Sequence, residues 1–384
     1  MRNVMKAATL ESKFPLLSVE EGCIISKDAD FTVAYRVELP ELFTLTQAEY
    51  EAVHSAWAKA VKVLPAYSIV HKQDFFIEES YKPDICRDDL SFLSRSFERH
   101  FNERPYLRHD CYLFLTKTTK ERSRTMSNFN ALTRGFIIPK EMQDRETVTR
   151  FLEACSQFER IINDSGFVRI SRLSDADITG TDKSAGIIEK YFSLSQEDTT
   201  CLQDITLEPG EMRIGDNFLC LHTLSDPEDL PSNVATDSRY ERLSTDCRLS
   251  FAAPIGVLLT CNHIVNQYLF IDDSAENLRK FEQTARNMHS LSRYSRSNQI
   301  NREWIEEYLN EAHSKGLTSI RAHCNVMAWS DDREKLKRVK NDVGSQLALM
   351  EAKPRHNTVD LPTLFWAAIP GNAGDFPAEE SFYT

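Results

Sequence analysis

Phe31-Thr-Val-Ala-Tyr-Arg-Val-Glu-Leu39 places Phe31, Val33, Tyr35, Val37 and Leu39 at every second position, between mostly polar neighbours. A period of two predicts a half-buried strand. From Thr46 to Leu64 the period changes, and Val53, Trp57, Ala60, Val61 and Leu64 fall on one helical stripe. Pro65 has no N–H to continue the ladder and ends that helix. Tyr67 to Ile77 predicts a second strand. Asp89 to Arg104, with Leu90, Leu93, Phe97 and Phe101 along one face, predicts a second helix. Cys111-Tyr-Leu-Phe-Leu115 is continuously apolar, as a strand covered on both faces is. Glu146 to Asp164 carries Val148, Phe151, Leu152, Cys155, Phe158, Ile161 and Ile162 at helical spacing, and Gly166 suits its C-terminal cap. Strand and helix alternate three times, which gives the fold class: α+β, mixed sheets with packed helices.

Further along, Ser171 to Gly215 is rich in Ser, Thr, Asp and Glu and predicts little core of its own. A second body then begins. Asp216 to Leu224, Ile255 to Thr260, Ile264 to Ile271 and Ser319 to Trp329 predict strands. Leu364-Phe-Trp-Ala-Ala-Ile369 predicts a last, buried one before the breakers Pro370-Gly371. Three helices are marked by Leu278, Phe281, Ala285 and Met288, by Ile305, Tyr308, Leu309 and Ala312, and by Leu336, Val339, Val343, Leu347 and Met350. Ser330 or Asp331 is the expected N-cap of the last. The expected division is a first α/β subdomain over 1–175, a polar connector over 176–215 and a second α/β subdomain over 216–384.

Composition limits the chemistry. The formal net charge of -12 argues against a large nucleic-acid footprint, which needs clustered Lys and Arg. Nine scattered cysteines, several inside apolar runs, read as reduced thiols of a cytoplasmic protein. No run of about 18 apolar residues predicts a membrane span. Gly-Lys does not occur, so there is no P-loop, and no G-x-G-x-x-G or G-x-S-x-G motif occurs either. No catalytic residue, metal ligand or cofactor site is therefore nominated. Cys261-Asn-His263 and His323-Cys324 look like half-sites for a metal but lack the ligand spacing, and adjacent strand residues point to opposite faces. His222 in an apolar strand reads as a structural histidine, and Asp226-Pro-Glu-Asp229 as a solvated turn.

Two basic stretches are the candidates for contact with an anion or partner: Lys117, Lys120, Arg122 and Arg124 after a strand, and Arg293 and Arg296 between two helices. The first has no aromatic platform for stacked bases and reads more simply as a solvated loop. Tyr294 keeps the second open to contact. The aromatic pairs Phe97, Phe101 and Phe151, Phe158 are assigned to the core, because helical faces of this kind must be covered.

Four segments carry a resemblance. Leu10-Glu-Ser-Lys-Phe-Pro-Leu16, Gly215 to Pro231, Asn262 to Ile271 and Leu364 to Asn372 resemble stretches of the TraG proteins of conjugative transposons. The likeness implies the amino-terminal part of a type IV secretion ATPase, cut before its P-loop domain. ATP and Mg²⁺ would belong to that missing domain, and none of its residues can be placed here. For this part the resemblance implies a non-catalytic docking or regulatory module, cytoplasmic and peripheral at the inner membrane. Its implied partners are channel components, neighbouring subunits or the membrane surface. The rivals are a module contacting single-stranded DNA, which would need a basic groove, and an enzyme with an unrecognised active site, which would need a pocket of perturbed titratable groups.

Overall fold

The computed structural model describes residues 8–40, 45–81, 91–124, 144–199, 201–208, 210–231, 254–291 and 295–383, with the single positions 126, 132, 135, 136, 138, 139 and 252. A short helix α1 (Leu10–Lys13) precedes strands β1 (Leu16–Glu20), β2 (Cys23–Ser26) and β3 (Phe31–Glu38). Helix α2 (Gln47–Lys62) starts at a capping box in which Thr46 and Glu49 satisfy each other's backbone amides. Strand β4 (Ser68–Glu79), helix α3 (Phe92–Asn102) and strand β5 (Tyr106–Lys117) follow. Helix α4 (Arg145–Asp164) is capped by Asp144, and Gly166, at φ 77°, turns the chain away from it.

β6 (Arg169–Arg172), α5 (Asp175–Thr179), α6 (Ile187–Ser193), β7 (Ile205–Glu208), β8 (Glu211–Ile214) and β9 (Asn217–Leu224) come next. Then come β10 (His263–Ile271), α7 (Ser274–Leu291), α8 (Arg296–Lys315), β11 (Ile320–Ser330) and α9 (Arg333–Leu349). The chain closes with β12 (Arg355–His356), α10 (Leu361–Ala367) and β13 (Phe382–Tyr383).

Among the described residues thirteen strands form one sheet, with the order β1-β2-β3-β5-β4-β10-β11-β9-β8-β7 and three short strands off that path. Every pairing in it is antiparallel. The fold is α+β, as the sequence predicts. β4 and β5 pair over twelve residues, from Ser68↔Lys117 to Glu79↔Tyr106. β4 also pairs with β10 over nine, so strands from both halves of the chain meet at the centre of the sheet.

Alternation sends Val70, Lys72, Asp74 and Phe76 of β4 to one face and Ile69, His71, Gln73 and Phe75 to the other. The first face is covered by α2 and α4 at one end, over Val33, Tyr35, Leu113 and Leu115, and by α9 at the other, over Cys220, Val326 and Ala328. The second face is covered by α6, α10 and the C-terminal segment, with Tyr191, Phe192, Phe365 and Trp366 in the core. β3 is therefore buried on both sides. Thr32 and Ala34 are as inaccessible as Val33 and Tyr35, where a half-buried strand was expected.

Other expectations are corrected. Leu364–Ile369 is not a strand: α10 takes most of it, with Pro362 in its first turn. An apolar run covered on all sides has no period by which to tell helix from strand. Ile255–Thr260 is not a strand either. Pro254–Leu258 forms a single π-helical turn in which Leu259 N–H donates to Pro254 O at 3.0 Å. α9 is capped by Asp332 rather than Ser330 or Asp331. The stretch 176–215, expected as a connector, carries α6 and the β7–β8 hairpin, and Ile187, Tyr191, Phe192, Met212 and Ile214 lie in the core.

Candidate functional site

α3 begins at Ser91, whose hydroxyl accepts from Ser94 N–H, and has the most one-sided apolar pattern for its length. Its apolar side faces water. Phe92 is 79% exposed, Leu93 77%, Phe97 62% and Phe101 44%, and no residue of the helix is buried. α3 lies between the two strands whose pairing runs to Glu79↔Tyr106, and none of its side chains joins the core clusters of the sheet. Exposed Tyr81 and Tyr106 extend the patch, with Tyr81 edge-on to Phe101 at 6.4 Å and Phe97 against Phe101 at 4.6 Å. Arg95, Arg99 and Arg104 alternate with the acids Glu98 and Glu103 in and just after the same helix. The assignment of Phe97 and Phe101 to the core is thus corrected, whereas Phe151 and Phe158 of α4 are fully buried. Asp89 and Leu90, expected in the same helix, lie outside the described residues.

The first basic stretch is divided: Lys117 and Arg122 face inward, and Lys120 and Arg124 lie nearer the surface. Lys117 is buried and donates to the carbonyls of Ala66 and Thr118 at 2.8 and 2.9 Å. Arg122 is buried between three carboxylates, with Asp28 at 2.8 Å, Asp30 at 2.7 Å and Asp375 at 3.3 Å. Those partners hold its guanidinium charged despite the burial, which would otherwise favour the neutral form. Lys120 and Arg124 both pair with Glu276 in the first turn of α7, at 2.6 and 3.2 Å. The bonds from Lys120, Lys280 and Arg124 hold the Glu276 carboxyl at about 2. Through these pairs the segment ties β5 to the N-terminal hairpin, to α7 and to the C-terminal segment, while the Lys120 side chain stays 47% exposed. Arg296 is exposed at the start of α8, and Arg293 lies outside the described residues.

The second face of the sheet holds a buried polar chain. His323 Nδ1–H donates to Glu380 O at 2.6 Å, so its Nε2 accepts from Asn325 at 3.0 Å. Asn266 donates to Asn325 Oδ1 at 3.0 Å and accepts from Gln73 at 2.8 Å and His71 Nε2–H at 3.0 Å. Burial pushes both imidazoles down to about 4, so both are neutral at pH 7. This arrangement fixes the pairing of β4, β10 and β11. On the opposite face a cavity of about 820 Å³ opens between α2 and the central strands, walled by Trp57, Val61, Val70, Leu269 and Ile320.

The two metal half-sites do not assemble. His263 Nδ1–H donates to the carbonyl of Cys261, and His323 points away from Cys324, as strand alternation requires. Sequence reading missed another cluster, Asp74, His109 and Cys111. His-x-Cys on one strand was its only local signal. Among the described residues no helix is long and apolar enough to cross a membrane.

No curated protein matches the chain. A family model described as a domain of unknown function, B. Theta gene description (DUF3875), matches residues 3–55, the stretch that holds β1, β2, β3 and the first half of α2.

Proposed function

We propose that this chain is a non-catalytic docking module of a conjugative-transfer ATPase resembling the TraG proteins, and that α3 is its docking surface. The observation that supports the reading is the uncovered stripe of Phe92, Leu93, Phe97 and Phe101. Aromatic side chains grouped on an exposed, otherwise well-formed helix are how proteins anchor partners, either in a groove or at a lipid interface. Channel components, neighbouring subunits and the inner-membrane surface are the partners that the likeness to TraG supplies. A single-strand DNA role is less well supported, since Lys117, Lys120, Arg122 and Arg124 all have partners inside the chain.

The test is retention of transfer-channel components on the immobilised chain, compared with a Phe97→Ser/Phe101→Ser variant. The wild type is expected to hold a component that the variant releases. A wild-type chain that holds none of its own channel's components overturns the reading.

A further inference from the structure

We propose that Asp74, His109 and Cys111 form a three-ligand site for a divalent cation of the zinc class, at the base of the hairpin that carries α3. The topology produces the constellation. His109 and Cys111, two apart on β5, point to the same face, and Asp74 is the direct partner of Cys111 across the β4–β5 ladder. Their ligand atoms lie within 4.8 Å of one another. Asp74 Oδ1 and His109 Nε2 are already 2.8 Å apart. Ligands around a tetrahedral zinc, with bonds of about 2.0–2.3 Å, stand roughly 3.3–3.8 Å from each other. Side-chain rotations of an ångström or so would therefore close the set.

The donor types fit. Thiolate, imidazole and carboxylate together suit zinc or cobalt better than magnesium or calcium, which take oxygen alone. Three protein ligands leave a fourth position open. Asp74 and Cys111 are buried, but the His109 side chain is 34% exposed and provides the route in. Its ring lies flat on Phe76 at 4.4 Å, which holds the imidazole edge toward Asp74.

One group competes. Lys72, two residues before Asp74 on the same face, bonds its ammonium to Asp74 and reaches Cys111. The ammonium stands where part of the cation's charge would be. Lys72 also lines the cavity beside α2, which is large enough to take its side chain once a cation replaces it. Binding then releases the Cys111 thiol proton to solvent and swings Lys72 into the cavity.

The experiment is a cobalt(II) titration of the metal-stripped full chain, read by the thiolate-to-cobalt charge-transfer band and the visible absorption of four-coordinate cobalt. The expected result is saturation at one equivalent. His109→Gln, at a partly exposed position, should abolish the band or weaken binding by at least about tenfold. Lys72→Met should tighten binding by about tenfold or more, because it removes one nearby positive charge. A wild-type chain without the band overturns the proposal. So does a band that appears only in Lys72→Met, which would mean that the ammonium keeps the site in the natural protein. A band unchanged by His109→Gln places the cobalt on other cysteines and overturns it equally.

Discussion

α3 and α4 present the same sequence pattern with opposite outcomes. Leu93, Phe97 and Phe101 recur every four residues on one helix, and Phe151, Cys155, Phe158 and Ile162 run down the other. On α4 that stripe is buried against β3, β5 and α2, with Phe158 edge-on to Trp57 at 5.9 Å. On α3 it lies in water. The difference is packing: α4 joins the core cluster on one face of the sheet, whereas no residue of α3 is buried. An amphipathic period shows that a helix has a face to cover, and the topology decides whether the same chain covers it.

Acid extends the comparison to polar groups and should have the largest effect. His71, His222 and His323 are buried and pushed down to about 4. An unfolded chain protonates its histidines below about 6.5, so between there and about 4 it binds more protons than the native state. Stability must therefore fall as pH falls through that window, by about 2 kcal/mol for each such histidine at pH 5. The urea midpoint at pH 5 should lie well below that at pH 7, and equal midpoints would mean these rings are not held neutral.

Single covered side chains come next. Phe158→Ala should cost about 3–5 kcal/mol, through lost burial and the cavity left behind. Arg122→Ala should cost a similar 3–5 kcal/mol, because it removes the buried guanidinium that bridges Asp28, Asp30 and Asp375. Both are read from denaturant unfolding. The smallest effect belongs to α3, where Phe97→Ser/Phe101→Ser should shift stability by no more than about 0.5 kcal/mol per position. A loss above about 2 kcal/mol there would show that the stripe is covered after all and would break the comparison.

The sequence made local periods legible and distant partners illegible. β3, β4, β5, β10 and β11 and the helices α2, α4, α7, α8 and α9 follow from spacing and caps. The buried role of Arg122 does not, because Asp30 and Asp375 are 92 and 253 positions away. Four cations near one another in sequence suggest a surface, and only the tertiary fold brings them their carboxylates. α10 was misread because a run with no polar face carries no period. The cluster at Asp74 was missed because its two halves sit on different strands, joined only by register.

The central seam of the sheet also sets a schedule for synthesis. β4 pairs with a strand about 190 positions later in the chain. At 5–20 residues per second, β4 waits about 10–40 s beside β5 with its other edge open before β10 emerges. An open edge recruits whatever strand comes first, including one from a neighbouring nascent chain. Lys72 and Asp74 place two charges along that edge during the wait, where they discourage pairing with the wrong strand.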